Sequence, residues 1–187
     1  MSQGFTSTLW TSQVDGAALT NTTTATSLLH AGSKFTLFPG FFSSIGQELK
    51  VQAAGRMSTV VTTPGTFTFD LKFGSVIVAT SGAFALNIVA KTNVTWKLDW
   101  DLTCRAVGGG TACTLMHTGI WSSEAVIGSP VPGTGGSGVL LIPASAPAVG
   151  TGFDNTGSAV VDLFGTWSVA NASNSILVHQ FRIVSPN

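Results

Sequence analysis

Apolar and polar residues alternate along most of the chain with period two, and the alternation stops and restarts at Gly- and Pro-rich punctuation. In GTFTFDLKFG, Phe67, Phe69, Leu71 and Phe73 take one side while Thr66, Thr68, Asp70 and Lys72 take the other. ELKVQAAG groups Leu49, Val51 and Ala53, and AFALNIVAK groups Phe84, Leu86, Ile88 and Ala90. Val161, Leu163, Gly165, Trp167 and Val169 form another set. In SILVHQFRIV the set is Leu177, His179, Phe181 and Ile183. Successive side chains of a strand point to opposite faces, so this period predicts strands with one buried face. FPGFF, TTPGT, FGS, TSG, VGGGT and DNTG separate the runs as turns do. No stretch longer than a turn or two combines helical spacing with caps at both ends. Short strands with frequent turns predict an all-β antiparallel sandwich or barrel.

Two segments depart from the pattern. Residues 1–28 are rich in Thr, Ser and Ala, with TNTTTATS at 20–27 and apolar singles at Phe5, Leu9, Trp10, Leu19 and Leu28. This composition predicts an arm with short extended pieces, suited to lying on a neighbour's surface. SPVPGTGGSG at 129–138 reads as a long loop. The alternation resumes unchanged after it, so it divides hairpins, not domains. The expected organisation is an arm over 1–28 and one domain over 29–187.

The stretch richest in reactive side chains is WKLDWDLTCRAVGGGTACTLMHTGIW, residues 96–121. Read as a hairpin, it puts Trp96, Leu98, Trp100, Leu102, Cys104 and Ala106 on one face and Lys97, Asp99, Asp101, Thr103 and Arg105 on the other. A turn within Val107–Gly110 predicts a register that sets Cys104 opposite Cys113, Leu102 opposite Leu115, Trp100 opposite His117 and Trp96 opposite Trp121. That register matches large with large and thiol with thiol, so sheet pairing alone explains the spacing. A zinc site on Cys104, Cys113 and His117 would need a fourth ligand from His30 or His179, or an open position. Its C-x8-C-x3-H spacing lacks the close cysteine pair of structural zinc motifs. Asp99 and Asp101 share a face with Lys97 and Arg105, as in a solvated or intersubunit charged row. Glycoside hydrolysis would need facing carboxylates, and Glu48 and Glu124 lie in unrelated segments. Neither a G-x-S-x-G elbow nor a phosphate loop is present. His117 has no nucleophile beside it, so the reading is non-enzymatic, with no catalytic residue, cofactor or metal assigned.

Charge sharpens this reading. Only 9% of residues are charged, eight basic and eight acidic, for a net charge of zero, against roughly 25% in ordinary soluble domains. Such a chain offers no basic surface for nucleic acid. Its neutral, hydroxyl-rich exterior has little charge to hold copies apart and suits a protein covered by partners. No apolar run reaches membrane-spanning length, and the first residues lack the basic and apolar regions of a secretory signal. The sequons at Asn21, Asn93 and Asn171 are expected by chance in so Thr- and Ser-rich a chain. Two cysteines do not make a disulfide framework.

Four segments together resemble a family of tailed-bacteriophage virion proteins built on a jelly-roll domain. They are DGAALTNTTTATSLLHAGSKFTL at 15–37, IGQELKVQAAGRMSTVVTTPGTFTFDLKFG at 45–74, WKLDWDLTCRAVGGGTACTLMHTG at 96–119 and VGTGFDNTGSAVVDLFGTWSVANASNSILVHQFRIVS at 149–185. The resemblance implies a two-sheet jelly-roll sandwich. It also implies a trimeric decoration or cement protein that is assembled in the host cytoplasm and binds the major capsid protein on the outer capsid surface. Tail proteins share similar jelly rolls, so a receptor-binding fibre domain that recognises host glycan is the alternative, with Phe153 and Trp10 as its solvent-facing aromatic candidates. A carbohydrate-active enzyme on the same fold is a third reading.

Overall fold

The computed structural model describes residues 6–125 and 138–186. In chain order its strands are β1 (Ser7–Thr11), β2 (Leu19–Thr20), β3 (Thr26–Ser27), β4 (Phe35–Leu37), β5 (Glu48–Thr59), β6 (Thr66–Phe73), β7 (Val76–Thr80), β8 (Phe84–Ala85), β9 (Lys91–Ala106), β10 (Thr114–Ser123), β11 (Val139–Ile142), β12 (Ala159–Trp167) and β13 (Ser175–Ser185). The larger sheet runs β1-β13-β5-β9-β10-β11, with β2 also on β13. The smaller runs β3-β12-β6-β7, with β4 also on β12 and β8 on β6. Every strand pair is antiparallel. The chain crosses between sheets as it proceeds, so β13 lies between β1 and β5, and β12 lies between β4 and β6. Two interlocked Greek keys of this order make a jelly roll, as expected. The β10–β11 pair extends the larger sheet beyond it.

Aromatic rings fill the space between the sheets. Phe69 of β6 lies 5.4 Å from Trp96 and 5.8 Å from Trp121, which belong to the opposing sheet. Phe67 packs at 4.7 Å on Trp167, and Phe84 at 4.5 Å on Trp121. A second cluster joins Phe42, Phe73 and Phe153. Gly165 belongs to the inward set of β12 because any larger residue would collide with these rings. A Cβ there would stand 2.6 Å from Phe67 and 3.1 Å from Leu28.

The structure changes two expectations. In β13 the inward residues are Ile176, Val178, Phe181 and Ile183. A bulge between Val178 and Gln180 switches the phase, so Leu177 and His179 are not in the buried set. After Leu86 the alternation at 84–90 ends, because Asn87 accepts a hydrogen bond from Val89 N and turns the chain, leaving Ile88 exposed. The N-terminal segment, from residue 6, contributes short strands to both sheets of its own sandwich. β1 and β2 pair with β13, and β3 pairs with β12. The Trp10 indole donates to Ser33 O at 2.9 Å, and Asp162 of β12 takes Ser27 Oγ at 2.7 Å and Lys34 Nζ at 2.6 Å.

Candidate functional site

The β9–β10 hairpin carries the reactive side chains, and its alternation sorts them as the sequence predicts. Trp96, Leu98, Trp100, Leu102 and Cys104 are buried, as are Cys113, Leu115, His117 and Trp121. The register differs from the expected one by two residues. Leu115 pairs with Cys104, His117 with Leu102, Gly119 with Trp100 and Trp121 with Leu98. A two-residue slip keeps every side chain on its face, which is why burial survives the change of partners. Its cause lies in the turn. Ala112 N donates to Gly109 O, a bulge falls between Thr114 and Leu115, and Cys113 exchanges backbone hydrogen bonds with Phe153 instead of with β9.

The inward groups are quiet chemically. Both cysteines are free and fully buried. Burial pushes the Cys113 thiol up to about 12, and the neighbouring Cys104 adds to the rise. Cys104 is also raised by burial, and its thiol donates to Ala106 O at 3.3 Å. Such thiols carry almost no thiolate near neutral pH. His117 is lowered from its ordinary value by burial, and its Nδ1 accepts the Trp100 indole N–H at 3.4 Å. The other histidines lie elsewhere: His30 caps the 3₁₀ turn Ala31–Ser33, and His179 pairs with Asp15 at 2.9 Å. Among the described residues no group of three His, Cys, Asp or Glu side chains is placed to hold a metal ion.

The outward face of the larger sheet is where the chain meets solvent with a pattern. One row crosses five strands: Arg182, Gln52, Asp99, Ile120 and Leu141 stand opposite one another in β13, β5, β9, β10 and β11. At its polar end the Arg182 guanidinium donates to Gln52 Oε1, with Nε at 2.9 Å, and Gln52 Nε2 donates to Asp99 Oδ1 at 2.6 Å. In the next row Lys50 pairs with Asp101 at 2.9 Å, and that hydrogen bond raises the lysine pKa. The expected charged row is therefore present, and its two aspartates face separate partners on β5.

The other end of the face is aliphatic. Ile120 is 45% exposed, Leu141 68%, Val139 43% and Val149 45%. Ile120 stands opposite Leu141, Ser122 opposite Val139, and Met116 opposite Val149, so these residues form one band. The outer face of the larger sheet is therefore charged at one end and apolar at the other. Leu141 itself was not legible, because VLLI is a short apolar run without alternation. The Arg182–Gln52–Asp99 relay was not legible either, since its members are 130 and 47 residues apart in the chain.

Of the aromatic residues expected in solvent-facing loops, neither is a platform. Phe153 is buried between Phe42 and Phe73, and Trp10 is part-buried against Phe35. Glu124 sits with Lys91 at 3.3 Å, away from the aspartates of β9. No protein-family model matches the chain, and no curated protein matches it.

Proposed function

We propose that this chain is a non-enzymatic structural protein of a phage virion, a trimeric decoration protein that binds the outer capsid surface and stabilises the shell. The observation that carries the reading is the exposed band of Ile120, Leu141, Val139 and Val149 on one flank of a jelly roll whose surface otherwise bears few charges. The resemblance to tailed-phage jelly-roll proteins supplies the particle. Burying a whole aliphatic side chain stabilises by roughly 1.5–3 kcal/mol, so four half-exposed ones contribute about 4 kcal/mol in all. A contact of that size corresponds to a dissociation constant of only about 1 mM. One copy would not stay on a shell through this band alone, whereas three linked copies gain by avidity. Binding to the assembled lattice and not to loose subunits then stabilises the lattice by mass action.

The receptor-binding alternative is the weaker reading, because its two aromatic candidates are packed against other rings of the fold. The test is to mix the purified protein with undecorated capsids at low and high salt, then measure occupancy and rupture temperature. Saturable binding, little changed by salt, with a raised rupture temperature is expected. Binding to host cell-wall glycan without binding to capsids would replace this reading with the receptor-binding one.

A further inference from the structure

Beside the charged end of the outer face lies a groove of about 550 Å³ that none of the functions above uses. Three local features form it. Ala54 is small and stands in a row between Gln180 and Lys97, so the sheet surface dips there. The bulge at Val178–Gln180 breaks the regular pleat along one side. β1 ends at Thr11, and Ser12 is held at the rim by two hydrogen bonds with Phe181, its N donating to Phe181 O and its Oγ accepting from Phe181 N. The floor is the Ala54 methyl and strand backbone; the walls are Thr11, Gln52, Lys97, Asp99, Gln180 and Arg182. The size falls within the range of small-ligand sites.

We infer that this groove binds an acidic saccharide, a polyhydroxylated ring carrying a carboxylate. Lys97 makes no hydrogen bond or ion pair among the described residues, and Arg182 spends two of its N–H groups on a neutral amide. Two cations therefore flank the groove with a single carboxylate, Asp99, between them, and they attract an anion. Asp99 commits Oδ1 to Gln52, so its other oxygen accepts from a ligand hydroxyl. Gln52 is held between Arg182 and Asp99 and presents its amide in a fixed orientation, which reduces the ordering cost of binding. A ligand that satisfies this set needs an anionic group and several hydroxyl donors on one small body.

An acidic peptide fits less well. The backbone of the floor is already consumed by the sheet ladder, so a peptide main chain finds no partner there. The groove lies on β13, β5 and β9, whereas the aliphatic band lies on β10 and β11. Asp99 of the groove stands directly opposite Ile120 of the band, so the two surfaces adjoin where β9 meets β10.

The inference does not rest on the virion reading, because it is tested on the free protein. Calorimetric titration of the full chain would use three probes: a tetramer of galacturonic acid, a neutral galactose tetramer and tetraglutamate. Saturable binding of the uronate is expected, with the neutral sugar and the peptide at least about tenfold weaker. Lys97→Ala and Arg182→Ala, both at exposed positions, should each weaken uronate binding about tenfold, the effect of losing a charge-assisted hydrogen bond. Their circular dichroism should match that of the wild type. Failure of the uronate to bind, equal binding of tetraglutamate, or uronate binding untouched in both variants would overturn the proposal.

Discussion

Trp96, Trp121 and Trp167 share one aromatic core but differ in what becomes of the indole N–H. Trp167 donates to Leu19 O at 3.2 Å, whereas among the described residues the N–H groups of Trp96 and Trp121 have no hydrogen-bond partner. The period-two pattern tells which face each ring takes. It says nothing about the donors, because Leu19 lies 148 residues from Trp167. Trp121→Phe and Trp167→Phe remove similar volume. Only the second strips a buried carbonyl of its partner, and the first relieves an unsatisfied donor. Trp167→Phe should therefore cost about 1–2 kcal/mol more than Trp121→Phe, read from urea unfolding at unchanged slope. Equal losses would mean that the indole bond contributes nothing.

His117 makes stability depend on pH, with a definite sign. Burial lowers its pKa below the ordinary 6.5, so the folded protein resists a proton that the unfolded chain accepts. The contribution is complete above that value and is lost as pH falls through the lower folded one. His117→Gln keeps a polar group beside Trp100 but cannot titrate. Its melting temperature should fall less than the wild type's between about pH 7 and about pH 5; parallel declines would contradict this. The cysteines should stay unreactive toward iodoacetamide until the protein unfolds, since both are buried and Cys113 is raised to about 12. Rapid native-state labelling would contradict the packing of the β9–β10 turn.

At the scale of elements, alternation located most of the long strands and their buried faces, and it failed where the backbone departs from regular pleating. The bulge in β13 moves Leu177 and His179 out of the expected apolar set. Turn geometry at Gly108–Cys113 shifts the β9–β10 register by two residues, since alternation fixes the face of a side chain but not its partner. The pairing of the N-terminal segment was not legible for another reason. Its strands are short, and their partners on β13 and β12 lie at the far end of the chain. Its bonds to Phe181 and Ser33 give it a stabilising role within the fold. Deleting residues 2–14 removes β1, the Trp10 packing and those hydrogen bonds. Stability should drop by about 3–5 kcal/mol, as for truncation of a large core side chain. Chemical denaturation checks this; an unchanged midpoint would show that β1 is dispensable.

The whole molecule presents two unlike surfaces on one sheet, a charged, hydrogen-bonded end and an aliphatic end. Composition shows only that nine per cent charge leaves little to oppose association. Locating the aliphatic band required the strand order, which brings Leu141 and Val149 beside β10 from beyond the hairpin. The central claim is that this aliphatic band holds the protein on a capsid. Capsid occupancy of the Ile120→Asp/Leu141→Asp protein, measured against the wild type on the same undecorated particles, tests it most directly. Both side chains are exposed, so the variant should fold and leave the capsids bare where the wild type saturates them; wild-type occupancy by the variant would contradict the claim.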